Sequence, residues 1–207
     1  MTDYAAFKTL SPTTLADAMG RERVMDIGIR PMWQPIPRIA GPAYPVECAP
    51  GDNLMLHAAI YRAPPGSVIV VEAGDIDYAV SGGNVCAVAQ RRGIAGFVID
   101  GVIRDIAEVR EAGFPVFARG VIPIPGEKQV IGKLNGIVHC GGVEVVSGDV
   151  VVADEEGIVV VPADRQDTVL EAAQARAAND AARTLDEWEA AHHARIEAIL
   201  RDKGFSD

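Results

Sequence analysis

The sequence predicts an α/β fold with parallel strands, and three observations along its 207 residues lead there. β-branched runs alternate with helix-period segments between residues 67 and 118. Short valine-rich runs punctuated by glycine follow residue 135, and an alanine-rich segment with alternating charges closes the chain. The first pattern is that of strands joined by right-handed helical crossovers, and the second is that of hairpins packed upon them. With 49% of residues hydrophobic, the chain suffices for one sizeable core, so residues 1–207 are read as a single domain.

Each element follows from local chemistry. Ser11-Pro12 has the form of an N-cap followed by a first-turn proline, and Gly20 closes the short helix that carries Leu15 and Met19. Six prolines between residues 31 and 50 exclude helix there and predict extended or edge-strand chain over 39–48. Asp52 can cap a helix over 53–62, which Pro64-Pro65-Gly66 must end. Strands are then predicted over 67–72, 96–100 and 115–118, and helices over 84–92 and 104–112. Further strands are read over 136–139, 143–146, 150–153 and 158–161, with 153–157 as a hairpin turn whose acids are solvated. One long helix is predicted over about 164–202, largely exposed or packed on a neighbouring subunit.

Composition excludes several classes of function. The 29 acidic and 19 basic residues give a net charge of -10, which repels a phosphate backbone, so nucleic acid is not an expected partner. Cys48, Cys86 and Cys140 are widely spaced and read as buried reduced thiols. No signal-like start and no bilayer-length apolar run occurs, so a cytoplasmic protein without membrane contact is expected.

Ligands of open α/β sheets bind beyond the carboxyl ends of parallel strands, which directs attention to two loops. The first enters a helix through Ser81-Gly82-Gly83-Asn84, where glycines and helical N–H groups suit a carboxylate or phosphate. It is neither G-x-G-x-x-G nor a P-loop, so nucleotide binding is not supported. The second ends in Arg104-Asp105: a planar fork for a carboxylate beside a hard oxygen ligand for a metal. Taken singly, the loops also fit a capped helix and a dipole-stabilising aspartate beside a surface arginine. At neighbouring strand ends they describe a 2-oxo acid site.

Gly83, twenty residues, then Arg104-Asp105 resembles the G-x20-R-D pattern of the class II pyruvate aldolase family, which acts on 4-hydroxy-4-methyl-2-oxoglutarate and 4-carboxy-4-hydroxy-2-oxoadipate. Leu15-Ala-Asp-Ala18, Gly41-Pro-Ala43, Gly51-Asp-Asn53, Pro115-Val-Phe-Ala-Arg119 and Gly148-Asp149 extend the resemblance over roughly residues 11–165. It implies an α/β/β sandwich related to the phosphohistidine swivelling domain, carrying a long C-terminal helix and assembled as a homotrimer or hexamer. It further implies that Gly82, Gly83, Asn84, Val85 and Arg104 bind the pyruvyl unit of a small-molecule 2-oxo acid. Asp105 would anchor Mg2+ or Mn2+, and Arg104 and Asp105 would be catalytic. Metal polarisation of the substrate would stabilise the pyruvate enolate left by C3–C4 cleavage, so oxaloacetate decarboxylation could share the site.

Many members carry an acid in the first loop, where the Ser81-Gly-Gly-Asn84 stretch has none, and a neighbouring subunit can supply a carboxylate, for which Asp180 or Glu187 are candidates. The alternative expectation is a non-catalytic protein-binding regulator of a ribonuclease, which the same fold resembles. Lys128 and Lys133 are read as solvated, His57 and His139 as structural, and His192-His193 as surface residues. Trp33 and Trp188 are read as packing or subunit contacts.

Overall fold

A computed structural model describes residues 2–205. Its strands are β1 (Arg30–Pro31), β2 (Ile39–Glu47), β3 (Val68–Glu72), β4 (Ala79–Ser81), β5 (Gly96–Ile103) and β6 (Val116–Val121), followed by β7 (Ile137–Cys140), β8 (Val143–Val146), β9 (Val150–Asp154) and β10 (Gly157–Val161). Its helices are α1 (Tyr4–Thr9), α2 (Pro12–Met19), α3 (Leu54–Ala59), α4 (Gly83–Arg91), α5 (Ile106–Ala112), α6 (Gln166–Ala181) and α7 (Leu185–Asp202). The fold is mixed α/β. One sheet runs β1-β6-β5-β3-β2-β9-β10, with β4 added on β5, and β7 pairs only with β8. The pairs β2·β3, β3·β5 and β5·β6 are parallel, as the β-α-β-α-β alternation requires, while β9 and β10 add antiparallel strands.

The period of two along each strand sorts side chains into layers. Ile69, Val71, Phe97 and Ile99 pack with Leu56, Cys86, Ala89 and Val109 of the helices. Val68, Val70 and Val98 point the other way and pack with Val138, Cys140, Val143 and Val145 of the β7–β8 hairpin. A third cluster holds α1, α2 and α6 against β9 and β10 through Phe7, Leu15, Val169, Val152 and Val161. Each fully buried side chain of this size contributes about 1.5–3 kcal/mol. No described helix is long and apolar enough to cross a membrane.

Several expectations are corrected. The proline-rich segment forms the internal strand β2, not an edge. Ala43 and Glu47 donate to Asp149 and Lys133, away from β3, so Pro45 between them turns its missing donor to that irregular side. The helix after Asp52 is shorter than 53–62, although Asp52 does accept the Leu54 N–H at 2.8 Å. The single C-terminal helix is two: Thr184 is extended, and its hydroxyl and the Glu187 carboxylate form a capping box that starts α7 anew. In the 153–157 turn Asp154 is buried rather than solvated, with Arg38 Nε 2.8 Å away.

Candidate functional site

Strand β4 lies within the stretch expected to be loop, and β5 continues three residues past Asp100. These two extensions build the site. Ser81 stands in register with Ile103 on the parallel neighbour, and the Arg104 N–H donates to the Ser81 carbonyl at 3.0 Å. The chain therefore leaves both strands side by side, into Gly82 on one and Arg104-Asp105 on the other.

Close approach explains both glycines. A Cβ on Gly82 would meet Arg104 Cγ at 3.0 Å and the Asp105 carboxylate, and one on Gly83 would lie 2.8 Å from Glu108 Cβ. Asp105 is not part of the predicted helix: its φ of 57° and ψ of 39° are left-handed, and α5 begins at the next residue. Aspartate tolerates this conformation better than most side chains, yet a non-glycine residue held there costs on the order of 1 kcal/mol or more. The turn directs Asp105 away from capping α5 and toward the other loop. Its Oδ2 accepts the Gly83 N–H at 3.2 Å and lies 3.4 Å from Arg104 Nε. Both side chains of that ion pair are over a third exposed, so the pair itself adds little stability. Among the described residues no protein donor reaches Oδ1 of Asp105, and no acceptor engages the terminal nitrogens of Arg104.

A cleft of about 70 Å³ joins Gly82, Asn84, Val85, Arg104 and Asp105 with Asn53, His57, Pro125 and Lys128. All but Gly83 of the residues expected at the site line it, and Gly83 supplies the bond that ties its halves together. Lys128, exposed as expected, and His57, expected to be structural, also line it. Their positions depend on the 122–136 segment folding back over β4: the Glu127 N–H donates to Gly51, and Asp52 Oδ2 accepts from Gln129 and Val130. No local pattern announces such a long-range return. Glu108, which packs on Gly83, was legible in principle, because it lies one helical turn beyond Asp105.

Burial first, then the positive charges of Lys128 and Arg104, push the His57 imidazole down to about 4, while Asp52 opposes the shift. His57 is therefore neutral at pH 7. Asn53 is buried and its amide donates to the carbonyls of Ala79 and Gly126, at 3.4 and 3.2 Å. Its Oδ1 has no partner. Although the chain is strongly acidic, this cleft carries two cations, which suits an anionic ligand.

A larger hollow of about 330 Å³ is lined by Glu72, Asp75, Asp100 and His139. Its acids already have partners: Asp100 binds Arg119 and the Gly141 N–H, and Glu72 accepts the His139 N–H. Asp100 thus braces the hairpin layer and stays out of the cleft.

The molecule is a mixed α/β protein whose polar, locally cationic cleft opens at the ends of adjacent parallel strands. Residues 12–160 match the RraA-like family, described as Aldolase/RraA, and the chain belongs to that family. A relative from Halalkalibacterium halodurans named "Putative 4-hydroxy-4-methyl-2-oxoglutarate aldolase" is 39% identical over 178 residues, which are 86% of this chain and 84% of the relative. Among solved structures, Streptomyces coelicolor RraAS2, described as an unusual member of the RNase ES inhibitor RraA protein family, superposes with a TM-score of 0.74 at 27% identity, covering 94% of this chain and 100% of that one. The RNA-processing inhibitor RraA from Thermus thermophilis gives 0.66 at 27% identity, covering 72% and 91%.

Proposed function

We propose that this cleft is the active site of a divalent-metal-dependent aldolase that cleaves a 4-hydroxy-2-oxo di- or tricarboxylic acid to pyruvate and a second 2-oxo acid. The observation that carries this reading is the meeting of Gly82-Gly83 with Arg104-Asp105, which leaves the Arg104 fork and one Asp105 oxygen uncommitted. The name of the Halalkalibacterium relative supports the same reaction class.

The donor set fits a hard cation in part. Among the described residues no group of three or more His, Cys, Asp or Glu side chains is placed to hold a metal. Mg2+ and Mn2+ do not require one, because one or two carboxylates, water and the substrate complete their shell. Asp105 would hold the ion, with Glu108 a turn away. When bound, it supplies Lewis-acid polarisation of the 2-oxo acid.

The chain's own groups perform the rest. The Asn84 and Val85 N–H groups lie in the first turn of α4, without intrahelical acceptors, and would take the substrate's C1 carboxylate. Arg104 would place its charge beside the C2 oxygen, where negative charge grows as the C3–C4 bond breaks. Solvent water in the cleft takes the C4 hydroxyl proton, C4 becomes a carbonyl, the C3–C4 electron pair passes into the pyruvate enolate, and water returns a proton to C3. Lys128 would meet a carboxylate beyond C4, and neutral His57 would offer a hydrogen bond without charge. Oxaloacetate fits the same arrangement, losing its C4 carboxylate as carbon dioxide and leaving the same enolate. A trimer or hexamer is the proposed assembly, measured by light scattering. A pyruvate-release assay on both aldols and on oxaloacetate, with and without chelator, tests the reading.

The likeness to two RraA structures sustains a second reading, a protein-binding inhibitor of a ribonuclease. Inhibition of RNA cleavage that survives Asp105→Ala, with no pyruvate released from any of the three substrates, would select it.

A further inference from the structure

Lys128 lies in the cleft with no ion pair of its own among the described residues. It and its neighbours Glu127, Gln129, Val130 and Ile131 are all exposed, so apolar packing does not hold this stretch in place. Backbone bonds do. The Glu127 N–H donates to Gly51 at 2.8 Å, and the Glu127 carbonyl accepts from Asn53 at 2.8 Å. On the far side of Lys128, the Gln129 and Val130 N–H groups donate to Oδ2 of Asp52 at 2.6 and 3.1 Å.

Asp52 is only 3% exposed and commits both of its oxygens. Oδ1 accepts the Leu54 N–H at 2.8 Å at the start of α3, the helix that carries His57. Hydrogen bonds from backbone donors to a carboxylate are stronger than neutral ones. Although burial raises the Asp52 carboxyl, its three backbone bonds and the Lys128 charge hold it below the ordinary value. One buried side chain thus joins the two segments that bring His57 and Lys128 to the cleft.

We propose that Asp52 is a positioning residue that fixes Lys128 in the cleft and thereby sets a preference for substrates with a carboxylate beyond C4. The preference rests on the lyase reading of the cleft, whereas the positioning does not. That carboxylate takes no part in bond cleavage, so its contact with Lys128 strengthens substrate and transition state alike and appears in KM. Oxaloacetate has no carboxylate beyond C4 and gains nothing from the contact.

Asp52→Asn tests this with little change of shape, because an amide accepts through one oxygen only and must turn its NH2 toward a donor. KM for 4-hydroxy-4-methyl-2-oxoglutarate should rise about tenfold more than KM for oxaloacetate, with kcat for the aldol changed less than about threefold. In a Lys128→Ala background the same substitution should leave the ratio of the two KM values within about twofold, since the contact is already gone.

Proton NMR of His57 reads the positioning without turnover. Burial first, then Lys128 and Arg104, hold the His57 titration at about 4, and the Asp52 charge opposes them. Loss of the Asp52 charge alone would move that titration down, and release of Lys128 moves it up. Asp52→Asn should therefore raise it. So should Gln129→Pro, which deletes one donor at an exposed residue and keeps Asp52. A His57 titration unmoved or lowered in both variants would overturn the positioning. Equal KM changes for the two substrates would overturn the preference. No turnover by the natural protein would sink the lyase reading, while His57 still decides the positioning.

Discussion

The backbone N–H of Gly83 donates to Oδ2 of Asp105 across 3.2 Å, and this bond fastens the start of α4 to the end of β5. The same oxygen lies 3.4 Å from Arg104 Nε. One half of the carboxylate therefore holds the two loops in register, leaving the other half for a ligand. The proposed chemistry and the local architecture share a side chain, and the variants below separate them.

Gly83→Ala is expected to disturb the site through its shape. The new methyl would lie 2.8 Å from Glu108 Cβ and still nearer its carboxylate, so α4 and α5 must separate. Overpacking of this kind costs about 1–3 kcal/mol. Urea denaturation should show that loss, and pyruvate release should fall at least tenfold, as the helical N–H groups leave their positions.

Asp105→Asn keeps the shape and tolerates the left-handed backbone. The half-exposed pair with Arg104 contributes little, so stability should change by less than about 1 kcal/mol. Metal-stimulated turnover should nevertheless disappear. Thermal denaturation alongside the lyase assay reads both effects in one preparation.

His57 gives stability a pH dependence of defined sign. Its folded value of about 4 lies below its ordinary 6.5, so between those values the unfolded chain binds a proton that the native chain refuses. Stability should be level above pH 6.5 and decline as the pH falls toward 4. Denaturant melts at pH 7.5 and 5 should show the decline, and His57→Gln should flatten it. Asp26 and Asp52, both held below the ordinary carboxylate value, add a further loss only in stronger acid.

The three thiols should resist modification in the native protein. Burial pushes Cys48 and Cys86 up to about 11 and Cys140 higher than its ordinary value. A thiolate-selective reagent at pH 7.5 should label none within minutes, and all three at once in denaturant.

The parallel unit was legible in sequence because its side chains and turns are local. The β-branched run of β3 and the apolar run of β5 alternate with helical segments that end at glycine or arginine. The adjacent placement of Gly83 and Arg104-Asp105 followed from that alternation alone. The left-handed turn at Asp105 did not, because a dipole-stabilising aspartate at a helix start has the same sequence signature. His57 and Lys128 were missed for a different reason. Their entry into the cleft depends on the 122–136 chain crossing back to Asp52, a contact between residues 77 apart in sequence. The break at Thr184 was readable as T-x-x-E, but continuous alanine-rich helix propensity masked it.

Pyruvate release from a 4-hydroxy-2-oxo acid by the metal-loaded protein, compared with Arg104→Ala and with added chelator, decides whether the cleft is a lyase site. Turnover that depends on metal and falls at least a hundredfold in Arg104→Ala, with a much smaller change in KM, is the expected result. Turnover unaffected by both chelator and Arg104→Ala, or none from the natural sequence with either aldol or with oxaloacetate, would contradict it.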